Sequence, residues 1–287
     1  MNPPSPNTFE NAVSAIDVVS VSLTLGGKRV LHDIDLRCEY GRITALIGPN
    51  GAGKSSLLSL IAGDEQADTG EVRLAGDRLT DLSIAELAAR RAVMPQDSVL
   101  RFAYQVEEVV RMGRALRDLP PEQDDTVVTA SLHAAEIGHL ATRDATTLSG
   151  GEQARTTFAR VLTQQTPILL LDEPTAALDL RHQERLLKSV GKLAQAGCCV
   201  VVVLHDLNLA AAHADHLVLL AEGKIQAQGT PWQVLDAERL GNVYRQPVSV
   251  ISHPQRDCPI VVTCDTPSDE ATPDGITTQD GITRAYR

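Results

Sequence analysis

Residues 48–55 read GPNGAGKS and fit G-x-x-x-x-G-K-[S/T] at every fixed position. The chemistry such a pattern serves is the holding of a polyphosphate. Gly48, Gly51 and Gly53 let the backbone curl so that successive N–H groups converge on phosphate oxygens, with Pro49, Asn50 and Ala52 between them. Lys54 adds a positive charge toward the β- and γ-phosphates, the Ser55 hydroxyl can ligate Mg²⁺, and Ser56 follows in the same turn. In ILLLDEP, residues 168–174, an apolar strand ends where Asp172 and Glu173 emerge. Asp172 is suited to hold Mg²⁺ through water, and Glu173 to act as general base on an attacking water or to orient it. Gln96, in VMPQD, is a candidate contact to Mg²⁺ or that water. His205, at the end of CCVVVVLHD, is a candidate hydrogen-bond partner of a γ-phosphate. A second phosphate-shaped element is LSGGEQAR, residues 148–155, where Ser149, Gly150 and Gly151 open a helix whose N–H groups point outward.

These side chains need elements to carry them. IDVVSVSLTL, RVLHDIDLRC and RITALIG read as strands joined by turns at Gly26-Gly27 and Gly41. ITALIG runs into the glycine-rich loop, and KSSLLSLIAG leaves it as a helix ending near Gly63. Residues 70 to 80 return to a strand pattern. From about 97 to 165 helical spacing dominates, in VEEVVRMGRAL, DDTVVTASLHAAEIG and GEQARTTFARVLTQQ, which reads as a helical insertion. PILLLDEP and CCVVVVLHD are nearly all-apolar, as strands buried on both faces of a parallel sheet are, with Cys198 and Cys199 opening the second. The helix LRHQERLLKSVGKLAQA between them completes a strand–helix–strand unit, and HLVLLAEGKIQAQG follows as a hairpin.

The bulk numbers narrow the function. A chain of 287 residues with 43% hydrophobic content can bury an ample core. A net charge of −11 argues against affinity built on neutralising a nucleic-acid backbone. The five cysteines form no CxxC pair, which fits a reducing compartment. The opening MNPPSPNTFENAV lacks the basic start and apolar core of a signal peptide, and CCVVVVL is too short to span a bilayer, so any membrane role is expected to run through a partner. Residues 1–13 and the acidic segment 265–287 read as disordered.

In this order the motifs resemble the ATP-binding subunit of ABC transporters. GPNGAGKSS is similar to that family's Walker A loop, MPQD to its Q-loop and LSGGEQ to its signature. ILLLDEP is similar to Walker B, AALD ending at Asp179 to the D-loop, and LHD to the switch histidine. The resemblance implies an α/β P-loop ATPase cassette spanning 14–264, with a mainly parallel core sheet, an antiparallel β subdomain and the helical insertion. It implies ATP and Mg²⁺ as cofactors. It also explains two phosphate elements in one chain: two copies pair head to tail, and Ser149, Gly150 and Gly151 of one close over the nucleotide held by the other, with Asp179 alongside. Closure on ATP and release on hydrolysis would be passed to membrane permease subunits by the helical insertion and the Gln96 loop. One departure stands out. The family stacks adenine on an aromatic residue before the first hairpin's glycines, and this chain has Leu25 there; apolar packing by Leu25 or Val30 would substitute.

No membrane-spanning segment is fused to the cassette, which favours import. VEEVVRMGR and LHDLNLAAAHADHLVLLAEGKIQAQGTPWQVL resemble importers of iron chelates and cobalamin, and VYRQPVSVISHPQRDCPIVV resembles hemin-importer ATPases within that group. Ferric siderophore and cobalamin are the alternative substrates. The resemblance implies a solute-binding protein as an indirect partner, a location on the cytoplasmic face of the membrane through the permease, and no contact between this subunit and heme. A soluble ABC ATPase of translation or DNA repair is disfavoured by the single cassette and the acidic charge. A non-hydrolysing cassette is disfavoured by the presence of Glu173 and His205.

Overall fold

The computed structural model describes residues 14–96, 103–116 and 120–265. The two segments expected to be disordered lie outside them, but for Asp265. In chain order, β1 (Ser14–Leu25) turns into β2 (Lys28–Glu39). β3 (Ile43–Ile47) runs into the glycine-rich loop and α1 (Lys54–Ala62) leaves it. β4 (Thr69–Leu74) and the two-residue β5 (Asp77–Arg78) lead to α2 (Ile84–Arg90) and β6 (Arg91–Met94). Helices α3 (Val106–Arg111), α4 (Pro121–Ala134) and α5 (Gly150–Thr163) follow, then β7 (Ile168–Asp172), α6 (Leu180–Gln195) and β8 (Cys199–Val203). After α7 (Leu207–His213) come the hairpin of β9 (His216–Ala221) and β10 (Lys224–Gly229), the single turn α8 (Pro231–Val234), α9 (Ala237–Tyr244), and a last hairpin of β11 (Val248–Ser252) and β12 (Pro259–Thr263).

The central sheet has the order β10-β9-β3-β8-β7-β6; its strands are parallel except for the antiparallel edge strand β10. A smaller antiparallel sheet, β2-β1-β4-β5, packs with α1 on one side of it. Every residue of β3, β7 and β8 is buried, because both faces of the sheet are covered. Successive side chains point to opposite faces, so neighbours in sequence enter different cores. Leu169, Leu171, Val200 and Val202 join the core under α3–α6, while Ile168, Leu170, Val201 and Val203 join the one under α1 and the antiparallel sheet.

Two local features depart from the sequence reading. Helix α2 was not anticipated, although Ser83 and Glu86 form a reciprocal capping box at its start. Cys198 stands just outside β8, half-buried with its thiol 3.8 Å from the Thr166 carbonyl, because the chain leaves α6 through a positive-φ turn at Gly197 and joins the sheet only at Cys199.

Candidate active site

Parallel strands all end at the same edge of a sheet, and ligands gather there. β3 lies between β9 and β8, and β7 and β6 lie beyond β8. Their carboxyl ends deliver the glycine-rich loop from β3, His205 from β8, Asp172 and Glu173 from β7, and Gln96 from β6. Residues spread over more than half the chain therefore meet as a direct result of strand order.

Gly48 has φ +142° and room for no side chain: a Cβ there would lie 2.0 Å from the Leu220 carbonyl oxygen. The loop is further tied down by the Gly223 N–H, which donates to the Ala52 carbonyl at 3.1 Å, and by the Ala52 N–H, which donates to Pro49 at 3.2 Å. Helix α1 has neither a side-chain N-cap nor an acid in its first turn. Its N-terminal dipole is therefore not neutralised from within the helix, as an anion seat requires. Lys54 is buried and donates to the Gly48 and Pro49 carbonyls at 2.8 and 2.9 Å. Burial lowers its pKa, opposed by Glu173 and Asp172. Ser56 is half-buried in the same helix turn, and Asn50 and Gly51 are exposed.

The Ser55 hydroxyl donates to Asp172 Oδ1 at 3.2 Å. Burial pushes the Asp172 carboxyl above the usual carboxylate range, partly offset by that hydrogen bond. Glu173 stands in the left-handed region at φ +48°, a strain of about 1 kcal/mol that turns its carboxylate off the line of β7. Gln96 Nε2 donates to Glu173 Oε2 at 3.2 Å, and His205 Nε2 lies against Glu173 Oε1. One half-buried carboxylate thus gathers the side chains from β6 and β8. Among the described residues no group of three His, Cys, Asp or Glu could hold a metal ion, so a cation here would depend on the Asp172 carboxylate together with hydroxyl, amide and phosphate oxygens.

Ser149, Gly150, Gly151 and Asp179 form a second group at the starts of α5 and α6. The Ser149 N–H and hydroxyl both donate to Glu152 Oε2 at 2.8 Å, which holds the Glu152 carboxyl low. This reciprocal capping box engages the Ser149 N–H and hydroxyl at the helix start. A Cβ on Gly151 would approach the Ala177 carbonyl to 3.0 Å, so the two helix starts are packed together. Asp179 caps α6 by accepting from the His182 N–H at 2.9 Å.

Leu25 and Val30 are half-buried against the core below α1, and Val30 also lines a cleft of about 920 Å³ beside Pro49–Ala52. Tyr244, from the end of α9, lines the same cleft and was not anticipated. It meets the cleft with its hydroxyl buried and without a hydrogen-bond partner among the described residues, and burial pushes the phenol up to about 12. A lone tyrosine near the end of a helix carries no sequence signal for such a contact.

The ABC transporter family pattern matches residues 31–176, the span from β2 through the glycine-rich loop, the α5 start and the β7 acids. The chain belongs to the ABC transporter family. The cassette is 48% identical to the hemin import ATP-binding protein HmuV of Streptomyces coelicolor, over 91% of this chain and 93% of that protein. It is 43% identical to the protein of the same name from Photobacterium damsela subsp. piscicida, over 87% and 96%. Among solved structures, the cassette resembles an inward-facing ABC transporter described as of metal-chelate type, with TM-score 0.75 and 27% identity over 88% of this chain and 98% of that one. It also resembles a dimeric bacterial ABC transporter cassette, with TM-score 0.69 and 27% identity over 75% and 98%. No described helix of the cassette is long and apolar enough to cross a membrane.

Proposed function

We propose that this chain is the ATP-hydrolysing subunit of a hemin importer, working as a head-to-tail pair on the cytoplasmic face of a membrane permease. Its likeness to hemin import ATP-binding proteins along nearly the whole chain carries the substrate assignment. The ATP-binding domain spans 14–264, with the helical subdomain at about 97–165.

In this reading the loop of Gly48 to Ser56 wraps the triphosphate, and Lys54 leaves the loop carbonyls to meet the β- and γ-phosphates. Ser55, Asp172 and Gln96 hold Mg²⁺, partly through water, and the hydroxyl–carboxylate pair at 3.2 Å is an oxygen donor set of the kind Mg²⁺ takes. When bound, the ion neutralises charge on the phosphate oxygens. Glu173 accepts the proton of the attacking water or aligns it, Gln96 positions that water, and His205 hydrogen-bonds the γ-phosphate. Ser149, Gly150 and Gly151 of the second copy complete the site, with Asp179 at their side; Glu152 must swing away from Ser149 as they do so. Leu25 or Val30 packs on the adenine in place of an aromatic ring. A solute-binding protein delivers substrate to the permease, and heme does not contact this subunit.

The likeness to a transporter of metal-chelate type favours a ferric siderophore as the second reading. The test is growth of cells carrying Glu173→Gln at the native locus, with heme or a ferric siderophore as sole iron source. Loss of growth on heme alone is expected. Loss on the siderophore alone would transfer the assignment to the second reading. The purified variant should bind ATP and hydrolyse it about 100-fold more slowly or worse. A normal rate would remove Glu173 from the chemistry.

A further inference from the structure

The helix that follows His205 is fastened at its start to the terminal β-hairpin, and at its far end to the same hairpin through Glu184 of α6. At its start, the Asn208 side-chain amide donates to the Val261 carbonyl at 3.2 Å and accepts from the Val261 N–H at 2.8 Å. This is what a strand partner's peptide group would do, and it occupies the edge of β12 that β11 leaves open. At the far end of α7, His213 Nε2 lies 3.4 Å from Glu184 Oε1 on α6. Glu184 also takes both hydrogen bonds of Arg256, at 3.1 and 3.0 Å, from the turn between β11 and β12. That turn is itself set by His253, whose Nδ1 accepts from the Gln255 and Arg256 N–H groups at 3.0 Å each.

His205 has little else to place it. Its side chain is 44% exposed and lies against Glu173. On one side the chain leaves the sheet at Leu204; on the other Asp206 begins α7 by accepting from the Asn208 and Leu209 N–H groups. A helix of seven residues does not hold its own position in water, so its direction comes from what it packs on. We propose that the terminal hairpin sets the position of His205, with Asn208 as the positioning residue. The inference rests on His205 serving the γ-phosphate.

The test measures single-turnover ATP hydrolysis by the full chain, so that slow variants stay readable. Asn208→Ala removes both bonds to β12. Asn208→Asp removes the donor yet places an acid in the first helical turn, which favours α7 itself and guards against simple unfolding. Both should lower the hydrolysis rate about ten-fold with little change in KM for ATP. Arg256→Ala, which loosens the hairpin without touching α7, should lower it in the same direction. In a His205→Ala background none of the three should cost anything further. Wild-type rates in Asn208→Asp, or the same loss with and without His205, would overturn the inference and leave the site reading standing. A wild-type rate in His205→Ala alone would instead remove His205 from the chemistry, and the inference with it.

Discussion

Two glycines of the phosphate loop do different jobs, and a methyl group separates them. At Gly48 the methyl would press on the Leu220 carbonyl of β9 at 2.0 Å, in a backbone conformation that L residues avoid. Gly48→Ala should cost about 3 kcal/mol or more, from overpacking and strain together. At Gly51 the methyl would meet nothing within 4 Å, so Gly51→Ala should cost only about 1 kcal/mol of backbone strain while crowding the phosphates. Urea midpoints for the two variants give the comparison, and equal losses would refute the division of labour. The loop pattern itself was legible in the sequence because its chemistry fixes residue types. Which glycine serves packing was not, because the atom it meets belongs to a strand from the far end of the chain. Tyr244 was illegible for the same reason.

At the scale of elements, the buried strands were readable because covering both faces of a sheet leaves only apolar positions, as in β7 and β8. Helix α2 was missed because it has no buried residue and hence little periodic stripe, although its Ser83–Glu86 box marks its start. The tie between α4 and α5 was also unread: buried Arg114, just after α3, donates to Asp124 at 2.7 Å and to the Thr163 carbonyl at 2.7 Å, and nothing in a lone arginine announces burial. The elements around α7 carry a pH dependence. Burial holds His213, at the end of α7, and His216, at the start of β9, below the ordinary value of 6.5. Unfolded chain therefore takes up protons that folded chain refuses. The stability these groups lend is present above about pH 6.5 and is lost as pH falls through their lowered folded values. Urea unfolding between about pH 8 and about pH 5 should show the double variant His213→Gln/His216→Gln losing less stability than wild type. Parallel losses would locate the proton uptake elsewhere.

For the whole molecule, the proposed head-to-tail pair would make each nucleotide site a property of two chains. Lys54→Ala spoils the loop, and Ser149→Arg spoils the α5 start that serves the other copy's nucleotide. Each variant alone should be inactive. Mixed in equal amounts they should recover up to roughly a quarter of wild-type hydrolysis, because half the pairs would be mixed and each would hold one intact site. No recovery on mixing would mean that the two elements act within one chain. Strand order adds a constraint in time. β3 carries the phosphate loop at the centre of the sheet, between β8 and β9, which the chain supplies late. A nascent chain that has not yet passed Cys199 has made every residue of the loop but neither neighbour of the strand beneath it. The sheet that holds the loop in place is thus completed only once β9 has been made.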